Sequence, residues 1–494
     1  MTLQHLQMPI RSDSITGRHR PGARFVENVI FSLFVAGSVC GCASYEAKPI
    51  DPAETAVKLE SRRLDDSGLH EFIDRSLKRT TPDWPLPEWN LEALTLAAFY
   101  YHPDLDVARA QWAVASAKDI TAGQRANPNI GVTPGYNTSS DIPSPWIVSA
   151  TLDIPFSTAG KRSARIAEAA QLSESVRFNV ASVAWQVRGR VRQGLLDVYA
   201  AQESLRLLRE QQGLADENVR LLERQLDAGG ISSFELTQAR LERKDVRLAV
   251  LDAERASAES RIRLAGAIGV SVSALDGVSL SFDSFGDAVA DPSVSDSRRR
   301  ALSNRADVLA ALSEYAASQA ALQHEIANQY PDIALGPGYE YDQGDNKWSL
   351  GLSFALPIVA HNRGGIAEAR ARREESAARF EALQARVLTE IDTALAGYRV
   401  ALKSREEAES MVADVTEQQI RSRAMFAAGD ISRSDLLGLE LQLGAATIAR
   451  FDAVIKARQA AGLLEDALQL PLDVPASAWQ NEPFDSATVS ATAR

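Results

Sequence analysis

The sequence predicts a mainly α-helical chain with a small β-barrel contribution: duplicated long α-helical hairpins plus four transmembrane β-strands per chain, closing as a trimeric α/β barrel. Three observations carry this expectation. The chain beyond residue 90 is written twice at nearly constant spacing. Each copy holds a long proline-free run whose apolar positions step by three and four. Each copy also holds two short alternating segments punctuated by Pro and Gly.

The duplication is explicit in several places. Ile166-Ala167-Glu168-Ala169 returns as Ile366-Ala367-Glu368-Ala369, 200 positions later. Gly229-Gly230-Ile231-Ser232 with Glu235-Leu236 returns as Gly429-Asp430-Ile431-Ser432 with Asp435-Leu436, again at 200. Asn127-Pro128-Asn129-Ile130 with Pro134-Gly135-Tyr136 returns as Tyr330-Pro331-Asp332-Ile333 with Pro337-Gly338-Tyr339, at 203. A weaker match, His102-Pro103-Asp104-Leu105 to Arg305-Ala306-Asp307-Val308, has the same spacing. Several matches in one order at one offset are a repeat, and repeats dictate the architecture.

The elements follow in order. Arg18, His19, Arg20 and Arg24 precede the apolar run from Val29 to Val39, too short for a membrane helix and suited to a secretory leader, with Met8 as a second candidate start. The run ends at Val39-Cys40-Gly41-Cys42-Ala43-Ser44, which resembles a lipobox; residues 1–41 would be removed and Cys42 acylated, with Ala43 favouring the outer membrane. Residues 42–88 form an N-terminal periplasmic segment. The first repeat, 89–270, opens with a helical stretch from about Leu91 to Gln124. Two strands follow, Ile130–Tyr136 and Trp146–Ile154, joined by a Ser- and Pro-rich loop. The second strand is expected to stop at Pro155, which has no N–H for a ladder.

A helix from Lys161 to Asp227 comes next, with Val176, Val180, Val183, Val187, Val191 and Leu195 on one stripe. It would be about 100 Å long at 1.5 Å per residue, a rod that needs partners along its length. It turns at Gly229 and returns over Phe234–Ala267. Residues 271–296 link the repeats. The second repeat, 297–470, has the same plan: helix Ser297–Asn328, strands Ile333–Tyr341 and Lys347–Leu356 ending at Pro357, rod Gly365–Ala428, return helix Ser434–Leu468. Its stripe is Phe380, Leu383, Val387, Ile391, Leu395 and Tyr398. Residues 471–494 are a C-terminal tail containing Pro, Ser and Ala.

Composition excludes several function classes. The formal net charge of −12 disfavours nucleic acid, which wants a basic face. Two Cys and six His leave no disulfide framework or Cys-rich zinc site. The six histidines show no i, i+4 pair, and the four methionines include Met1 and Met8, so no metal site and no cofactor are expected. Thr158-Ala159-Gly160-Lys161-Arg162-Ser163 resembles the end of a phosphate loop, but Pro155 stands where its first Gly should be. No catalytic constellation emerges, so an enzyme is not expected.

Strand arithmetic then fixes the assembly. Each second strand has about the length that crosses a bilayer. Trp146, Val148, Ala150 and Leu152 share one face, as do Trp348, Leu350, Leu352 and Phe354. Four strands cannot close a barrel, for which about eight is the minimum. Copies of the chain must share one, and a trimer supplies twelve strands.

With these elements in place the chain resembles the TolC-type outer-membrane efflux proteins over nearly all of its mature length. The wording Gln329-Tyr330-Pro331-Asp332-Ile333 and Asn346-Lys347-Trp348-Ser349-Leu350-Gly351-Leu352 is most similar to heavy-metal efflux components of the cobalt–zinc–cadmium type. The resemblance implies a lipid-anchored homotrimeric duct with a barrel in the outer membrane lipid and a helical tunnel in the periplasm. It implies docking on a periplasmic adaptor, which connects to an inner-membrane pump of the resistance–nodulation–division class. The docking tips would be Gly229, Gly230, Ile231, Ser232, Glu235 and Leu236, with Gly429, Asp430, Ile431, Ser432 and Leu436 in the second repeat. Ser232 with Glu235, and Ser432 with Asp435, also read as capping boxes. Asp435 matches a gate acid of the family; the second acid expected is Gly438, with Asp430 or Glu440 as substitutes. Pro155 and Pro357 would mark the barrel-to-tunnel junction. The alternatives are a duct for organic drugs or a secreted polypeptide, or a structural periplasmic coiled-coil lipoprotein.

Overall fold

A computed structural model describes residues 45–139, 143–285 and 294–472, with the side chains of 294–297 excepted. The leader, Cys42, the tip of the first strand loop, part of the linker and the tail beyond 472 lie outside the described residues. The chain divides at Ala56. Up to that point the described residues are exposed and include the first turn of helix α1 (Pro52–Glu60), which buries none of its side chains.

The unit from Val57 contains the repeats. After the end of α1 it has α2 (Ser67–Leu77), capped by the Asp66 carboxylate accepting from the Leu69 N–H, and α3 (Leu91–Tyr101), capped likewise by Asn90. The helical stretch expected to Gln124 is made of two helices: α4 (Pro103–Gly123) starts afresh after His102, which is extended at φ −72°, ψ 123°. Pro103 at the first helical position forces this, because a residue before Pro is pushed out of the helical region. The second repeat breaks at the equivalent place, with α7 (Val294–Asn304) and α8 (Ala306–Ala327) flanking an extended Arg305.

Four strands make one antiparallel sheet in chain order: β1 (Asn129–Tyr136), β2 (Trp146–Phe156), β3 (Ile333–Asp342) and β4 (Asp345–Phe354). The β3–β4 turn needs only Gln343 and Gly344, both at positive φ, as a twisted two-residue hairpin requires. One expectation fails here. Pro155 does not end β2; it pairs with Ala334, and Phe156 pairs with Ile333. Pro357 lies beyond the end of β4. The lost donor at Pro155 is tolerated beside the strand end, where the ladder stops one residue later.

The rods are α5 (Lys161–Asp227) and α9 (Arg363–Ala428); the return helices are α6 (Ser233–Ile268) and α10 (Arg433–Leu468). Near the sheet the helices lie in the order α4, α5, α8, α9, and towards the turns in the order α6, α5, α10, α9. Two cores sit at the same level of the two rods. Val187, Val191, Leu195 and Val198 of α5 are buried, and so are Val387, Ile391, Leu395 and Tyr398 of α9. The duplicated stripes thus bury the same positions twice. The first core also takes Trp89, whose N–H donates to Ser279 O while its carbonyl accepts from Ser281 N, fastening the N-terminal segment to the linker.

Candidate membrane barrel and helical tips

The alternation within each strand becomes a two-faced sheet once the register is known. Ile130, Val132, Pro134 and Tyr136 of β1 stand opposite Leu152, Ala150, Val148 and Trp146 of β2. Ile154 and Phe156 continue that face to Leu335 and Ile333 of β3, which stand opposite Leu352 and Phe354 of β4. Tyr339 and Trp348 complete it. Every residue named is apolar or aromatic. The other face carries Gly131, Thr133, Gly135, Ser149, Thr151, Gly336, Gly338, Ser349, Gly351 and Ser353.

Size decides how such a sheet curves. A Cβ on Gly338 would come 2.7 Å from the Ser349 hydroxyl, and one on Gly131 2.9 Å from the Thr151 hydroxyl. Glycines let the small-residue face be concave, as barrel walls demand. In a closed barrel the apolar face would then be the convex one. It is also exposed: every residue of β4 and all but Gly135 of β1 are open. Aromatic pairs sit at the hairpin ends of the strands, Tyr136 on Trp146 at 5.1 Å and Tyr339 on Trp348 at 4.9 Å, suited to a membrane interface.

The concave face is acidic at its hairpin end. Glu340, Asp342 and Asp345 face one lysine, Lys347, whose ammonium lies 2.6 Å from Asp342 and 3.8 Å from Glu340. Asp153 adds a fourth carboxylate at the opposite end. Where sheet meets rods, Asp332 accepts from the Thr158 N–H at 3.1 Å and from the buried Lys161 ammonium at 2.9 Å. The phosphate-loop look of this segment dissolves, since Lys161 is committed to that carboxylate.

At the far end each hairpin closes through glycine. Gly229 and Gly429 adopt φ +74° and +86°, with open space around a would-be Cβ. The helix ends are satisfied by Gly230 N donating to Gln225 O and Asp430 N donating to Met425 O, both wrapping back over the last turn. Ser432 and Asp435 form the complete reciprocal box, and these hydrogen bonds from Ser432, side chain first, hold the Asp435 carboxyl below the usual carboxylate range. The first tip differs from expectation: Ser232 caps Glu235 N, but the Glu235 carboxylate takes the Ser232 hydroxyl, not its backbone. Leu236 and Leu436 are buried within the hairpins and hold the turns; Gly229, Gly230, Ser232, Glu235, Gly429, Asp430, Ser432 and Asp435 are exposed, and Ile231 and Ile431 are half-buried. Glu440 is held between Arg423 and Arg433, each 3.4 Å away, so its charge is already countered and it is a poor stand-in for a gate acid.

Sequence reasoning missed the links between the two tips. Arg433 donates to Glu217 at 2.7 Å, and Gln225 donates to the Ser434 hydroxyl at 2.9 Å. These partners lie more than two hundred positions apart, and nothing local marks them. Among the described residues, no cluster of three His, Cys, Asp or Glu could hold a metal, and no helix is long and apolar enough to cross a membrane.

Residues 98–270 match the model of the family described as outer membrane efflux protein. The cobalt–zinc–cadmium resistance protein CzcC of Cupriavidus metallidurans is 26% identical over 326 residues, covering 65% of this chain and 76% of CzcC. Among solved structures, the outer membrane protein VceC of Vibrio cholerae superposes with a TM-score of 0.63 at 17% identity, covering 78% of this chain and 97% of VceC. CusC, which forms a transmembrane channel, gives 0.62 at 17%, covering 87% and 99%. These last two likenesses show the fold. The family match over residues 98–270 and the CzcC likeness, set on a sheet with one apolar face, make the chain similar to outer-membrane efflux proteins.

Proposed function

We propose that this chain is an outer-membrane efflux channel, the exit duct of a tripartite system, and carries heavy-metal cations. One observation carries the duct: a four-stranded sheet, apolar on one face and rich in glycine and polar residues on the other, that is open at both edge strands. Four strands fall short of the eight or so that close a barrel, so a ring of three copies with twelve strands is the assembly that satisfies both edges. Such a duct is passive; energy and selection belong to an inner-membrane pump of the resistance–nodulation–division class, reached through an adaptor that grips the glycine tips. The family consists of channels, and no catalytic role is proposed.

The likeness to CzcC supports metal cations as cargo. The concave face supports it too, since four carboxylates against one lysine favour cations over anions. Acylation of Cys42 would anchor the periplasmic end of the chain to the same membrane; incorporation of labelled palmitate by the Cys42→Ser protein would refute that anchor.

Deletion of the gene in its host, with growth measured in cobalt, zinc and cadmium salts and in a panel of organic toxicants, tests the cargo. Sensitisation to the metals alone is expected. Sensitisation to the organic compounds alone would replace the metal reading with a drug duct.

A further inference from the structure

Outside the sheet and the helical tips, the N-terminal segment gathers a set of metal-binding groups that the duct does not use. His70 and Asp74 lie one turn apart on α2, and the chain returns past both of them at Thr81. We propose that His70 Nε2, Asp74 Oδ2 and the Thr81 carbonyl bind a divalent cation of the zinc class, which clamps residues 78–90 onto α2. This site goes beyond the duct reading and does not depend on it.

The spacing of the donors is the first support. Two donors held about 2.0–2.1 Å from one tetrahedral ion stand about 3.4 Å from each other. His70 Nε2 is 3.5 Å from Asp74 Oδ2 and 3.2 Å from Thr81 O. A charge-assisted hydrogen bond would be about 2.7–2.9 Å, so the histidine and the aspartate are spaced for a shared ion and not for each other. The second carboxylate oxygen, Asp74 Oδ1, already accepts from the Thr81 N–H at 2.8 Å. That bond orients the carboxylate and leaves Oδ2 on the imidazole side, as the outer partners of metal ligands do.

Thr81 supplies the second support. Its Oγ1 is buried and has no hydrogen-bond partner in the chain. Such an atom calls for a water or an ion, and a water in the fourth position of the cation would meet that need.

The imidazole is also held in place. Its ring stacks on Trp84 with 4.5 Å between centroids and 10° between planes, and Trp84 Nε1 donates to Asp65 O at 3.1 Å. His70 and Asp74 are half-buried, and a cleft lined by Thr81, Arg79, Glu88 and Glu92 gives an ion a way in. Nitrogen among the donors favours zinc, cobalt or nickel over calcium and magnesium, which take oxygen. Residues 78–90 end at Trp89, hydrogen-bonded to the linker between the repeats, so the cation would tighten that fastening.

The test uses the full-length protein in detergent, stripped with a chelator and then dialysed against zinc chloride alone. The parent should retain one zinc per chain more than His70→Gln or Asp74→Asn, a difference that discounts zinc on the sheet carboxylates. Zinc should also slow tryptic cleavage after Arg79 in the parent and in neither variant. His70→Cys guards against a variant that merely misfolds: cobalt should stay bound and gain a near-ultraviolet thiolate band beyond that of the parent. Equal zinc content in the parent and both variants overturns the site and leaves a hydrogen-bonded histidine only. A loss of zinc in His70→Gln without a thiolate band in His70→Cys also overturns it, because the loss then comes from the fold.

Discussion

Glu465→Gln probes a buried charge cluster joining the repeats. The Glu465 side chain, only 9% exposed, accepts from Arg188 at 2.9 Å and Arg192 at 2.5 Å, and from the Leu472 N–H at 3.0 Å. Arg192 also donates to Asp466 and to the Gly462 carbonyl, each at 2.7 Å. The slot is shaped by glycine, since a Cβ on Gly462 would come 2.8 Å from Arg192 Nε and one on Gly189 3.0 Å from Asp466 Oδ1. Glutamine fits the same space and keeps one carbonyl acceptor, but it removes the charge that offsets two guanidinium groups, 17% and 11% exposed.

Breaking a buried pair from one side costs about 3–5 kcal/mol. Asp466 still counters Arg192 and one hydrogen bond survives at about 1 kcal/mol, so a loss of about 2–3 kcal/mol is expected. If it appears wholly in the unfolding rate, unfolding accelerates about 30- to 150-fold at 1.36 kcal/mol per decade. Trp185 reports it, because its ring lies 5.0 Å from the Arg188 guanidinium. Unfolding followed by that fluorescence in detergent is the assay, with Arg192→Met and the double variant closing a cycle. A rate within twofold of the parent, or strict additivity in the cycle, would refute the claim that these charges are coupled and dry.

Three further outcomes are expected. Gly429→Val and Gly229→Val force a β-branched residue to φ +86° and +74°, at about 1–2 kcal/mol each, with no clash to share the blame. Adaptor cross-linking should fall in both and survive in Gly429→Asn, because Asn tolerates positive φ. Asp435→Ala removes half of the capping box, about 1 kcal/mol, and should raise single-channel conductance; unchanged conductance would leave Asp435 a cap alone. Burial first, then Arg190, lowers the His102 pKa, while Asp104 opposes them and the Arg62 guanidinium adds to the lowering. The imidazole accepts from the Asp104 N–H, so its contribution is fully present above the ordinary histidine value of about 6.5 and is lost as pH falls from there through the lowered folded value. Unfolding rates at pH 7.5 and 5.5 should differ less in His102→Asn, which caps without titrating; an unaltered pH dependence counts against this.

How much could be read without coordinates depended on the range of the interaction. Val187, Val191 and Leu195 betray a buried stripe because helical spacing is local, and the rod from Lys161 to Asp227 is where the pattern places it. The break at His102 was legible in principle from Pro103, but the equivalent Arg305 has no proline after it to confirm it. The fate of Pro155 was not legible, because whether a strand stops depends on whether a neighbour lies alongside, and β3 is almost two hundred residues away. Glu465 with Arg188 and Arg192 was equally hidden, being one acid among 65 on helices whose facing surfaces no local rule assigns.

The range of an interaction also says why the repeats diverged where they did. At the shared break, Asp104 beside His102 accepts from Arg190 of the first rod, whereas Arg305, which also donates to Asp307, donates to Glu390, the residue 200 positions on. The charge pair has changed places while the geometry stayed. A knot needs opposite charges and is indifferent to which helix supplies each.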